Sequence, residues 1–136
     1  MEGGMNSKIL VVDDNPTNLK LVSKLLECEG HKILQAVDAE EAQVVLADTL
    51  PELILMDIAL PGMDGLTLVR KLKADERTRH IRVVALTAFA MKGDDQKAFD
   101  AGCDGYITKP IDTRKLPEQV AVILARAAGG APEEAS

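Results

Sequence analysis

The chain has 136 residues and a formal net charge of −6 at pH 7, a length that buries roughly two thirds of the unfolded surface and fits one domain. The negative charge argues against a surface for nucleic acid or anionic membranes, because binders of either kind carry a basic footprint. No apolar run reaches the roughly 18 residues of a membrane-spanning helix, and the amino terminus lacks a signal-peptide pattern. We therefore expect a cytoplasmic protein without membrane insertion.

Strand and helix patterns alternate along the chain. The strands are short apolar runs, as expected for strands covered on both faces, and they are expected at 8–12, 31–36, 53–56, 81–86 and 105–108. The helices show apolar residues three and four apart, and they are expected from Pro16 until Gly30, from a cap at Asp38 to Ala47, through Leu66, Val69 and Leu72, over 94–101, and after a cap at Asp112 or Thr113. Pro117 leaves the start of the last helix open. The alternation predicts an α/β fold: a five-stranded parallel sheet in the order 2-1-3-4-5, with helices on both faces.

Polar residues stand where the expected strands end. Asp13 and Asp14 follow the first strand and Asp57 follows the third, while Thr87 and Lys109 follow the fourth and the fifth. Ligands of open α/β sheets bind where the carboxyl ends of the strands converge. Because strands one and three are neighbours in the expected order, we expect the three carboxylates to meet in one crevice, with Thr87 and Lys109 at its rim.

Three carboxylates at close range repel each other, at a cost on the order of 4 kcal/mol per pair at about 4 Å and an effective dielectric constant near 20. A cation must offset this repulsion, and oxygen ligands with room for water suit Mg²⁺, which usually binds through one or two carboxylates and phosphate oxygens. Lys109 adds a positive charge and Thr87 a hydroxyl donor. The crevice is therefore predicted to handle a phosphoryl group, with Asp57 as the in-line nucleophile.

Each of these residues also has an ordinary structural explanation. Asp13 and Asp14 could cap a helix, and Asp57 could be a turn residue. Thr87 is an ordinary strand residue, and Lys109 could be a solvated charge. Their common position at strand ends favours the phosphoryl site over these separate readings.

Other polar residues are expected to have structural roles. Cys28 and Cys103 lack the spacing of metal ligands, and each is expected to be a small buried hydrophobe. His31 and His80 have no ligand partners at useful spacing, and we expect them at the surface or at a strand edge. The basic residues of the third helix are expected to form its solvated face: Arg70, Lys71 and Lys73.

Five motifs occur in the order in which the receiver domains of two-component response regulators carry them. They are VVDDN at 11–15, LILMD at 53–57, LPGMDG at 60–65, LTA at 86–88 and YITKP at 106–110. Over residues 7–128 the chain resembles that family, which implies the flavodoxin-like receiver fold. From their composition, residues 1–6 are expected to be a loose leader and 129–136 a disordered tail. The segment TAFAMKGD at 87–94 is similar to single-domain cell-cycle-type regulators and to receivers of hybrid histidine kinases.

The resemblance implies a phosphoacceptor signalling switch of a two-component phosphorelay rather than a turnover enzyme. Asp57 would accept a phosphoryl group from a histidine kinase or a histidine phosphotransfer protein. The metal would be Mg²⁺, with Mn²⁺ as the alternative. By resemblance Asp14 binds it directly, Asp13 largely through water, and Asp57 and the Ala59 backbone carbonyl complete the protein ligands.

The resemblance also implies how the signal leaves the domain. Thr87 and Lys109 would contact the phosphoryl oxygens, and Lys109 would precede a cis proline. Thr87 would move toward the phosphoryl group as Tyr106 rotates inward, although Tyr106 could also be core filling. This movement would remodel the face of the fourth helix, fifth strand and fifth helix, where a downstream protein partner binds. A monomer or weak dimer is expected.

Alternatives remain at this point. A pseudo-receiver would be a protein-interaction module that is never phosphorylated, and a receiver fragment of a hybrid histidine kinase would share every motif. A Mg²⁺-dependent phosphohydrolase would want an acid two positions after its nucleophile, where this chain has Ala59. Because Ala59 has no polar group to orient water, we also hypothesise a long-lived phosphoaspartate.

Overall fold

Strands and helices alternate through the part of the chain that the computed structural model describes, which is residues 8–57, 65–87, 100, 102–108 and 113–125. The strands are β1 (Lys8–Val12), β2 (Lys32–Ala36), β3 (Leu53–Asp57), β4 (Arg82–Thr87) and β5 (Gly105–Thr108). The helices are α1 (Pro16–Cys28), α2 (Ala39–Asp48), α3 (Gly65–Ala74) and the C-terminal helix (Leu116–Ala125). Of the helix expected over 94–101, only Asp100 is described, and it is helical. The expected leader and tail lie outside the described residues.

The five strands form one parallel sheet in the order β2-β1-β3-β4-β5, as predicted. Val12, at the end of β1, lies opposite Met56 of β3. Asp57 lies opposite Leu86, one residue before β4 ends. The register therefore brings the carboxyl ends of β1, β3 and β4 to the same level.

The central strands are buried on both faces because their alternate side chains enter two separate apolar layers. All of β3 is buried, as is β1 after Lys8. One layer joins these strands to α2 and α3 and includes Leu10, Val12, Ile54, Met56, Leu46 and Val69. The other joins them to α1 and the C-terminal helix and includes Ile9, Val11, Leu53, Leu55, Leu26 and Val120. Packing on both sides fixes the strand ends that carry the polar residues.

Helix α1 begins immediately after the acidic pair because its capping residues follow β1 directly. The Asn15 side chain accepts hydrogen bonds from the backbone N–H groups of Thr17 (2.9 Å) and Asn18 (3.1 Å), and Pro16 occupies the first helical position. The helix is followed by Gly30, whose positive φ of 95° suits glycine. The first turn of α1 is thus held against the carboxyl end of β1.

The C-terminal helix begins at Leu116, so Pro117 lies in its first turn, where proline removes no intrahelical hydrogen bond. Thr113, one of the two expected caps, lies in the preceding turn, and Asp112 lies outside the described residues. The helix start left open by the sequence therefore falls just before the proline.

The prediction of two buried cysteines is half wrong. Cys103 is buried, and burial, with a smaller contribution from Asp104 that Lys73 partly offsets, raises the pKa of its thiol to about 11. Cys28 is exposed. It lies about 200° around α1 from the buried Leu26, because each helical residue adds about 100°.

One of the two histidines is not at the surface. His80 is exposed, as expected, whereas His31 is only 8% exposed and directly precedes the edge strand β2. The turn at Gly30 brings His31 back to α1, where its backbone N–H donates to the Leu26 carbonyl (3.3 Å). Burial lowers the pKa of His31, against the opposing charges of Glu29 and Glu52. Its Nδ1 has no hydrogen-bond partner within the described part of the chain.

The third helix also departs from its prediction. Arg70 and Lys71 are exposed, but Lys73 is half-buried and does not belong to a solvated face. Its ammonium donates to the carbonyls of Arg79 (3.1 Å) and Ile81 (2.7 Å) and to Asp104 Oδ2 (3.0 Å). Lys73 therefore joins α3 to the segments that precede β4 and β5.

Candidate functional site

The structure brings Asp13, Asp14 and Asp57 together at the carboxyl end of the sheet. One oxygen from each carboxylate lies within 4.8 Å of the other two. Asp13 is fully buried and Asp57 is 5% exposed, whereas Asp14 is exposed. The adjacency of β1 and β3 accounts for this grouping, because the two strands end side by side. The three acids that the sequence predicted to converge do so.

These carboxylates form an electrostatically unfavourable group when ionised. For the two buried ones, Asp13 and Asp57, the repulsion is on the order of 3 kcal/mol at an effective dielectric constant near 20. The donor set consists of carboxylate oxygens, which are the ligands that hard divalent cations prefer. The exposure of Asp14 leaves one side of the group open to water. The three residues therefore fit a hard divalent cation that keeps part of its hydration shell.

Asp13 is held by the start of α1. Its Oδ1 accepts a hydrogen bond from the Asn15 backbone N–H (2.9 Å), and its Oδ2 accepts one from the Asn18 side-chain amide. Its own backbone N–H donates to the Ala36 carbonyl of β2 (3.1 Å). Asn18 was not identified from the sequence as a site residue. The signal was present, however, because a polar residue in the first turn of a helix lies close to the chain that enters that helix.

The remaining predicted site residues are only partly described. Thr87 ends β4 opposite Thr108, and Tyr106 lies in β5 opposite Ala85, but the structure describes only the backbone of Thr87 and Tyr106. Lys109 and Ala59 lie outside the described residues. The backbone places Thr87 at the same end of the sheet as Asp57, since Asp57 pairs with the residue before it.

Fold and site together define a class: a doubly wound α/β domain with an acidic crevice at the switch point of its strand order. A family profile described as the response regulator receiver domain matches residues 9–121. The chain belongs to this family, which confirms the resemblance seen in its motifs. No helix in the described part of the chain is both long and apolar enough to cross a bilayer.

The relatives are similar over nearly their whole length. The chain is 41% identical over 116 residues to the polar-differentiation response regulator DivK of Brucella ovis, a match that covers 85% of this chain and 94% of DivK. It shares the fold of a CheY-like response regulator receiver domain protein from Methanospirillum hungatei, with a TM-score of 0.82 and 30% identity over 89% of this chain and 95% of that chain.

A third relative bears on the acidic crevice. The receiver domain of the sensor histidine kinase PA1611 from Pseudomonas aeruginosa is 31% identical, with a TM-score of 0.77 over 91% of this chain and 98% of that chain. That structure has a magnesium ion coordinated in its active site cleft. The chain is thus a DivK-like receiver domain with a cluster of three carboxylates at the carboxyl end of its sheet.

Proposed function

We propose that this protein is a phosphoacceptor switch of a two-component phosphorelay, in which Asp57 receives a phosphoryl group from a histidine kinase or a histidine phosphotransfer protein. The grouping of Asp57 with Asp13 and Asp14 is the observation that supports this proposal. Asp57 ends a fully buried strand and is 5% exposed, so its position is fixed while one face still reaches the crevice. A fixed nucleophile suits phosphoryl transfer, which depends mainly on positioning and charge stabilisation.

The metal in this proposal is Mg²⁺, with Mn²⁺ as the alternative. Asp14 and Asp57 would bind it directly, Asp13 largely through water, and the Ala59 carbonyl would be a further ligand. When bound, the cation neutralises charge on the carboxylates and on the phosphoryl oxygens. The exposed Asp14 and the buried Asp13 support this division, because Asp14 is the more open of the two to a hydrated ion.

The chemical step is a transfer between two side chains. An Asp57 carboxylate oxygen attacks the phosphorus of a phosphohistidine, the new O–P bond forms as the P–N bond breaks, and the electron pair of that bond stays on the imidazole nitrogen. Thr87 and Lys109 would contact the phosphoryl oxygens and stabilise their charge. The burial of Asp57 limits access of bulk water to the acyl phosphate that results.

The output of this switch would be a protein partner. Phosphorylation replaces the single negative charge of the Asp57 carboxylate by a phosphoryl group with a charge of about −2 and three acceptor oxygens, enough to bias a two-state element. Thr87 and Tyr106 would be that element. The remodelled face would comprise the segment 94–101, β5 and the C-terminal helix, where Val122 is 48% exposed. We further propose that residues 7–128 form the receiver domain of a cytoplasmic protein that is a monomer or weak dimer and does not bind nucleic acid.

The direct test is phosphorylation by a small donor. With Mg²⁺ and acetyl phosphate, we expect the intact protein to gain about 80 Da, the mass of one phosphoryl group. Asp57→Ala is expected to show no gain, because it lacks the carboxylate proposed as the acceptor. Asp48→Ala, at the exposed end of α2, is the matched control and should be modified as fast as the wild type.

Two results would decide against the proposal. Modification of Asp57→Ala at the wild-type rate would remove Asp57 as the acceptor. A wild-type protein that binds Mg²⁺ but gains no mass, even with a phosphorylated histidine phosphotransfer protein, would support the pseudo-receiver instead. The effect of Ala59 on phosphoryl lifetime stays a prediction, because that residue lies outside the described chain.

A further inference from the structure

Asn18 touches the acidic cluster without belonging to it. It lies in the first turn of α1, five residues after Asp13, and its side-chain amide donates to Asp13 Oδ2. Its backbone N–H donates to the Asn15 side chain (3.1 Å). Asn18 is therefore attached both to the cap of α1 and to one of the three carboxylates.

These contacts help to orient the Asp13 carboxylate. The Asn15 backbone N–H holds one carboxylate oxygen (2.9 Å) and the Asn18 amide holds the other. Two donors on different oxygens fix the rotation of a carboxylate about its final bond, which a single donor does not. The start of α1 thus contributes to the direction in which Asp13 presents its remaining lone pairs.

The type of donor at position 18 also matters. Asp13 is fully buried, so its carboxylate needs hydrogen-bond donors in place of water. An arginine or lysine would satisfy it but would cancel its charge and compete with a cation. The amide of Asn18 is neutral, so it satisfies and orients the carboxylate while the negative charge stays available to a metal.

We propose that Asn18 is a positioning residue for the metal centre, acting through Asp13 rather than by binding the cation. This inference rests on the divalent-cation site of the proposed function but not on phosphorylation of Asp57. Groups that orient metal ligands typically change metal affinity by about 10–100-fold when they are removed. Asn18 orients Asp13, which is expected to bind the cation largely through water. We therefore expect the removal of Asn18 to change the Mg²⁺ affinity by an amount at the lower end of that range.

The test measures Mg²⁺ binding to the full chain by isothermal titration calorimetry. Asn18→Ala is expected to raise the dissociation constant about tenfold. Thr17→Ala is the matched control, because Thr17 is the exposed neighbour in the same turn and its backbone makes the same type of bond to Asn15. That variant should bind Mg²⁺ as the wild type does. Asn18→Gln keeps an amide and should fall between the wild type and Asn18→Ala.

Unfolding by urea in the presence of EDTA separates positioning from a merely structural role. If Asn18→Ala lowers the free energy of unfolding but leaves the Mg²⁺ dissociation constant unchanged, Asn18 is structural and the inference is wrong. If Asn18→Ala weakens Mg²⁺ binding while the wild type takes no phosphoryl group, the inference stands and the proposed function fails. If the wild type is phosphorylated and Asn18→Ala binds Mg²⁺ normally, the proposed function stands and the inference about Asn18 is wrong.

Discussion

The two ends of the sheet handle charge in opposite ways. At the amino end, the Lys73 ammonium lies 3.0 Å from Asp104 Oδ2, so each charge has an opposite partner. At the carboxyl end, the carboxylates of Asp13, Asp14 and Asp57 lie within 4.8 Å of one another, so like charges are brought together. Opposite charges in contact stabilise the fold by themselves, whereas grouped like charges gain from a ligand of opposite charge. The amino end therefore contributes to the stability of the fold, whereas the carboxyl end is where we expect a cation to bind.

The amino end is tied to several elements at once. Asp104 Oδ2 also accepts from the Val83 backbone N–H (2.8 Å), and the Asp104 N–H donates to the Val83 carbonyl (2.7 Å). Gly102 lies against Lys73, where an added Cβ would come within 2.8 Å of Lys73 Cγ, and its φ is +112°. Glycine is needed there for both reasons. We therefore expect substitutions at this end of the sheet to be poorly tolerated.

Removal of the Lys73 hydrogen bonds at the amino end of the sheet is expected to have the largest effect on the free energy of unfolding. Lys73→Met keeps most of the aliphatic length but removes the donor to Asp104, Arg79 and Ile81. Because Lys73 and Asp104 are both partly solvated, we expect a loss of about 2 kcal/mol in the free energy of unfolding, near the value for one hydrogen bond to a charged group. Urea denaturation followed by circular dichroism measures it.

Lys71→Met is the matched control for that variant, because Lys71 lies on the exposed side of the same helix. Its free energy of unfolding should stay within about 0.5 kcal/mol of the wild type. Equal losses in Lys71→Met and Lys73→Met would contradict a specific role for the amino-end network.

The smallest expected effect concerns His31, which also lies at the amino end of the sheet. Its folded-state pKa is lowered below the ordinary 6.5 because burial disfavours the charged ring. The unfolded chain therefore binds the proton more readily, so stability is fully present above about pH 6.5 and falls as the pH drops through that value toward the folded-state pKa. Replacing His31 by Leu should flatten the dependence of the free energy of unfolding between about pH 7.5 and 5.5.

His80→Leu provides the comparison, because His80 is exposed in the turn before β4. Its pH dependence should match that of the wild type. If the slope of the free energy of unfolding against pH is unchanged in His31→Leu but reduced in His80→Leu, the buried histidine is not the titrating group.

The carboxyl end was largely predictable from the sequence, because local patterns determine it. Strands β1 and β3 are short apolar runs, and the acids at their carboxyl ends meet because the two strands are neighbours in the sheet. The positions of Asp57 and of Asp13 and Asp14, which follow β1, could be predicted without any knowledge of side-chain packing. Asn18 was not identified from the sequence, because its contact with Asp13 depends on side-chain geometry in the first turn of α1, which apolar periodicity does not specify.

The amino end was not predictable in the same way. Lys73 and Asp104 are 31 residues apart, and nothing near Lys73 in the sequence distinguishes it from its exposed neighbour Lys71. The burial of His31 depends on how the turn at Gly30 folds back onto α1. Such features arise from tertiary packing, which apolar periodicity does not specify.

The carboxyl end of the sheet is proposed to group its three acids for a cation. The most direct measurement is urea unfolding of the wild type and Asp57→Asn, each with EDTA and with Mg²⁺. Without metal, Asp57→Asn should be more stable by about 1–2 kcal/mol, since one repelling carboxylate is gone. At about 100 times its dissociation constant for the wild type, Mg²⁺ should stabilise the wild type by about 2.7 kcal/mol and the variant by less, which narrows or reverses the difference between them. A wild type that is the more stable protein in EDTA and gains nothing from Mg²⁺ would contradict the account.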